Sequence, residues 1–146
     1  MRKFPPKQKF LEALTAIADH HVQMGDHQAT VRSSNNAKLY TVTWDKDTYH
    51  SNDNATYWQG YAGYPVLAVL MLQHRLPLDR TIADQFKDVN WHDLNLKYHR
   101  NYQKAADAVI IDRGLDHDEI WVAVDDLYDD LKSLPLTLKR LRISHK

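Results

Sequence analysis

Phe10, Leu11, Leu14, Ile17, Ala18, His21 and Val22 recur at three- and four-residue intervals, the spacing of a helix that buries one face. Pro5 and Pro6 stand where a first helical turn tolerates proline, and Gly25 is the expected stop. The period then changes. Ala29 to Arg32 reads as a short strand. Leu39-Tyr-Thr-Val-Thr-Trp44, rich in β-branched and aromatic residues, reads as a second. Ser33 to Asn36 and Asp45 to Asp47 carry turn residues before the next segments, and Thr48 to Ser51 completes a hairpin. Ser51 to Asn54 is a further turn, and Thr56-Tyr57-Trp58 is a candidate third short strand.

After Gly60 the helical period returns. Val66 to Leu72 are apolar all round, which marks a buried helix starting at Pro65. Pro77 breaks the pattern, and Asp79 is placed to cap a short helix through Phe86. Asn90 is placed to cap a long helix whose stripe runs Leu94, Tyr98, Asn101 or Tyr102, Ala105 and Val109 until Gly114. Asp116 with Glu119 has the spacing of a capping box. Ile120, Ala123, Val124, Leu127, Leu131 and Leu134 supply the face of a last helix, ended by Pro135. The second half offers no convincing strand. This order predicts an α+β fold, with a small antiparallel sheet of short strands over about residues 29–58 packed against a mainly helical remainder.

The 146 residues suit one domain, so a single domain over 1–146 is expected, ending in a basic tail over about 135–146. Lysine and arginine number 19 and so do the acids, which leaves no global field for nucleic acid or an anionic membrane. Cysteine is absent, which excludes disulfides, thiolate metal sites and a cysteine nucleophile. The basic N-terminus lacks the apolar run of a signal peptide, because Glu12, Thr15 and Asp19 interrupt it. A cytoplasmic location is the expectation.

Candidate chemistry is sparse. Nine histidines are present, and His20, His21 and His27 form the densest group, beside Asp19 and Asp26. If the chain folds back after Gly25 they could hold a metal, whereas the plainer reading is charge at a helix C-terminus. His92 and His99 share a helix face two turns apart, about 10 Å, too far to bind one ion. Tyr57, Trp58, Tyr61 and Tyr64, with Gly60 and Gly63 among them, lead into the buried helix. They either line a pocket or partner surface or seal the joint between sheet and helix. Asp126 and Asp130, like Asp125 and Asp129, are four apart and repel by a few tenths of a kcal/mol. The acidic helix 116–134 either neutralises the basic tail, stays solvated, or binds a metal or a partner.

No phosphate loop, dinucleotide fingerprint or nucleophile elbow occurs, and no cofactor is called for. Two readings of function stand. The first is a small cytoplasmic binding or regulatory protein with an aromatic patch at Tyr57, Trp58, Tyr61 and Tyr64, taking a protein or small-molecule partner or a second copy of itself. The alternative is a small metal-dependent, hydrolase-like enzyme using His and Asp side chains, with His20, His21 and His27 as the metal ligands. The balance of charge argues against a nucleic-acid partner, and the longest apolar run argues against a membrane.

Overall fold

The computed structural model describes residues 3–142. The first apolar stripe forms helix α1 (Gln8–Ala18), followed by strands β1 (Val22–Met24), β2 (Gln28–Arg32), β3 (Leu39–Asp45) and β4 (Thr48–Ser51). A π-helical turn (Ala55–Gln59) leads into α2 (Tyr64–Leu72), α3 (Arg80–Gln85), α4 (Trp91–Lys97), α5 (Tyr102–Asp112) and α6 (His117–Ser133). Strand β5 (Thr137–Arg140) closes the described chain. The fold is α+β, as the order of patterns implies. Among the described residues no helix is long and apolar enough to cross a membrane.

The sheet runs β1-β2-β3-β4-β5. Its first four strands form an antiparallel meander, with Thr30 opposite Thr41 and Val42 opposite Ser51. Ala29, Val31, Val42 and Tyr49 are buried on the inner face, where α2 packs against β1, β3 and β4. On the outer face Gln28, Arg32 and Asp45 are exposed, the usual division for a sheet covered on one side. Leu67, Leu70, Phe10, Phe86, Trp91, Ile120 and Leu131 are fully buried and join both halves of the chain in one core. Trp91 is the largest of them. Its indole N–H donates to the Thr15 hydroxyl at 2.8 Å, and that hydroxyl donates to the Phe86 carbonyl at 2.7 Å.

Four expectations are corrected. Helix α1 stops at Ala18, because His20 takes the left-handed conformation (φ 58°) and His21 N–H returns to the Ala16 carbonyl. Val22 thereby leaves the helical stripe and pairs with Val31 in β1. Thr56 to Trp58 form the π-helical turn, not a strand. The Asp53 carboxylate accepts the Thr56 N–H at 3.1 Å, and Gly60 (φ 77°) ends the turn. The long helix from Asn90 to Gly114 is two helices. His99 and Arg100 both adopt positive φ, and the Asn101 side chain accepts the Lys104 N–H to start α5. His92 and His99 therefore share no helix face. Finally, Thr137 to Arg140 form a strand parallel to β4, with Tyr49 opposite Leu138. The sheet is mixed and extends beyond residues 29–58.

Candidate functional site

The aromatic segment between the π-helical turn and α2 divides into two groups. Gly60 and Gly63 set the division. Gly60 turns the chain with a left-handed conformation. Gly63 lies against the buried Asp53, whose carboxylate also accepts the Ser51 hydroxyl. A Cβ at position 63 would collide with that carboxylate and approach the Ala55 Cβ to 3.1 Å. Gly63→Ala is expected to destabilise the protein by about 1–3 kcal/mol, seen as a lower midpoint in urea unfolding. An unchanged midpoint would contradict the close approach.

Tyr61 and Tyr64 form the inward group. With Tyr40 and Tyr102 they are half-buried around an ion pair on α1, Lys9 Nζ to Glu12 Oε2 at 2.7 Å. Lys9 Nζ also stands 4.3 Å from the centre of the Tyr102 ring. Tyr40 and Tyr64 meet edge to face at 6.2 Å. Burial pushes the Glu12 carboxyl above its ordinary value, with the Lys9 charge opposing. Burial works to lower the Lys9 ammonium, but Glu12 outweighs it and the net shift is upward. Burial holds the Tyr64 phenol far above the ordinary range, and raises Tyr40 and Tyr61 as well. Both tyrosines that were expected to contact a ligand thus serve in part to cover a buried ion pair. A void of about 10 Å³ lies beside it, lined by Glu12, Ala16, Ser34, Tyr64 and Trp91. That is room for roughly one water.

Tyr57 and Trp58 form the outward group. Trp58 is 68% exposed, the most exposed aromatic of the large hydrophobics at the surface. Its ring meets Tyr57 edge to face at 4.7 Å. The Arg140 guanidinium of β5 lies 5.2 Å from the Tyr57 ring centre and 5.8 Å from that of Trp58. Lys3 reaches the same segment, donating to the Gln59 carbonyl at 3.1 Å. Among the described residues Arg140 forms no salt bridge.

The histidines are not assembled. His20 and His27 are exposed and His21 is half-buried. His20 and His21 line an open depression of about 240 Å³ with Asp19, Asn36 and Asp88, and His27 is not part of it. Among the described residues no three His, Asp or Glu side chains are grouped to hold a metal ion. The described part of the basic tail does not lie along α6. It joins the sheet edge, while Lys7 pairs with Asp125 at 2.8 Å. Residues 143–146 lie outside the described residues. Asp116 performs the capping role expected of it, accepting the Glu119 N–H at 3.1 Å.

Sequence reasoning missed Lys9, Glu12, Asp53 and Arg140. Lys9 and Glu12 look like an ordinary exposed pair three apart on a helix. Arg140 gains its role only through the parallel pairing of β5, which no local pattern signals. A family model described as Uncharacterised conserved protein UCP014422 matches residues 2–137. No curated protein and no solved structure matches the chain.

Proposed function

We propose that this chain, which belongs to the family of Uncharacterised conserved protein UCP014422, is a cytoplasmic binding protein whose contact surface centres on Tyr57, Trp58 and Arg140. The observation that carries this reading is the 68% exposure of Trp58 within contact of Arg140 and Tyr57. Trp, Tyr and Arg are the residue types most enriched at binding hot spots. The cation–π contacts hold the long arginine side chain in place, so less of its freedom is lost on binding. The positive charge of Arg140 and the neighbouring Lys3 suits a protein surface that offers a carboxylate beside an apolar side chain. The cysteine-free sequence suits a reducing compartment.

The test compares immobilised wild-type protein with Trp58→Ala and Arg140→Ala in affinity capture from extract, with sedimentation of each protein alone. Trp58 is exposed, so its replacement should move stability by no more than about 0.5 kcal/mol. Loss of a hot-spot residue, at least about 2 kcal/mol, should weaken retention of a partner roughly 30-fold. A self-association that weakens in Trp58→Ala would identify the partner as a second copy. Equal capture and equal sedimentation by all three proteins would contradict the reading.

A further inference from the structure

The sheet ends on one side at β5, and that edge combines open backbone groups with unpaired positive charge. The register fixes which backbone groups are open. The N–H groups of Thr137 and Leu141 donate to the carbonyls of Asp47 and Ser51 at 2.9 and 3.0 Å, so alternate residues of the segment face β4. The residues between them present their backbone groups to the opposite side. The N–H and C=O groups of Leu138 and Arg140 therefore face away from the sheet, and no described backbone group pairs with them.

Charge follows the same edge. Lys139 and Arg140 are exposed on the strand and Arg142 is exposed just beyond it. None of the three forms a salt bridge among the described residues. No Asp or Glu occurs from Leu131 to Lys146 to offset them. Lys139 and Arg140 are successive residues, so their side chains leave opposite faces of the sheet. Arg140 lies against Tyr57 and Trp58 of the π-helical turn, which packs beside β5. The open edge is thus continuous with the aromatic surface. The other outer strand, β1, carries no charged side chain.

We propose that β5 accepts an extended acidic segment of a partner protein as an added strand. This rests on the reading of Tyr57, Trp58 and Arg140 as a contact surface, and it specifies the partner's backbone geometry and charge. Strand addition at an open edge draws affinity from main-chain hydrogen bonds and specificity from alternate side chains. Carboxylates on the two faces of the incoming strand meet Lys139 and Arg140, and an apolar neighbour on the Arg140 face meets Trp58. Cationic side chains on an edge keep neutral or basic strands from pairing, so the charges that protect this edge also select an acidic strand. The outward carbonyls of Leu138 and Arg140 need donors, and their N–H groups need acceptors. A peptide backbone supplies both, whereas phosphates supply acceptors only, which favours a peptide over a nucleic acid.

The probe is labelled acetyl-Val-Glu-Glu-Val-Glu-Glu-amide, whose two faces when extended each carry valine and glutamate. It is titrated with the full chain by fluorescence anisotropy, and amide hydrogen exchange is followed by NMR at saturation. Saturable binding is expected, with slower exchange at Leu138 and Arg140 and no change at Thr137, which is already bonded to β4. Lys in place of every Glu of the peptide should weaken binding by at least about tenfold. Lys139→Glu, at an exposed position that should leave the fold intact, should do the same. The proposal is overturned by no saturable binding, by binding that leaves exchange at Leu138 and Arg140 unchanged, or by equal binding of the lysine peptide. Tighter binding of oligothymidylate than of the peptide would also overturn it, in favour of nucleic acid. If the peptide fails while Trp58→Ala still loses its captured partner, strand addition alone falls. If the peptide protects Leu138 and Arg140 equally in wild type and Trp58→Ala, strand addition stands and the aromatic surface loses its role.

Discussion

Lys9→Met is expected to cost about 3–5 kcal/mol at neutral pH, because it leaves Glu12 as a buried carboxylate without its counter-charge. The loss should depend on pH. The folded-state pKa of Glu12 is raised above its unfolded value of about 4.3. Between those two values the native state binds more protons than the unfolded chain, so stability falls as pH rises through that window. Removing Lys9 removes the opposing attraction, which pushes the folded value higher and widens the window. The deficit of Lys9→Met against wild type should therefore be small at pH 4 and grow towards pH 7. Lys9 itself, raised in the folded state, contributes stability present below its unfolded value near 10.4 and lost above it. Urea unfolding at both pH values measures the difference. Lys9→Met/Glu12→Met should recover most of the loss, since a packed apolar pair of similar volume replaces a buried ion pair with little or no penalty. An equal deficit at pH 4 and pH 7 would contradict the burial of Glu12.

Trp91→Ala carries an expected loss of similar size, about 3–5 kcal/mol. Trp91 is 1% exposed, stacks on Phe86 at 6.4 Å, and ties the start of α4 to Thr15 of α1 through its indole N–H. Its removal opens a cavity between α1, α3 and α4. Trp91→Phe keeps much of the volume and loses only the indole donor. The Thr15 hydroxyl still donates to the Phe86 carbonyl in that variant, so the added loss from the missing hydrogen bond should be about 1 kcal/mol. The urea midpoint should drop strongly in the alanine variant and modestly in the phenylalanine variant, with a constant slope. Equal midpoints for the two would show that Trp91 contributes no packing.

Amphipathic stripes made α1 and α6 legible, because their apolar positions repeat at helical spacing, and α2 was legible as a run apolar all round that is buried on every side. The hairpin of β3 and β4 was legible from β-branched residues and the Asp45–Asp47 turn. Three of the four errors share a cause, in that each lies where a single residue overrides a periodic pattern. His20 at positive φ cuts α1 short, and Asn101 acts as a cap inside an apparently continuous stripe. Asp53 winds the next segment into a π-helical turn where the side chains favour a strand. Strand β5 is four residues long and exists through its partner β4, which local propensity cannot report. The aromatic segment was legible as a unit, but its division into an inward and an outward group was not. That division rests on Gly63 fitting against Asp53.

The central claim is that the surface at Trp58 meets a partner, and the most direct measurement is site-specific photocrosslinking in intact cells. A photoreactive amino acid would replace Trp58 in one protein and Ile111 in another, the latter being 76% exposed on α5, away from the patch. The account predicts one dominant crosslinked species from position 58, absent from position 111 and lost when Arg140→Ala is added. The same faint ladder of products from both positions would contradict it.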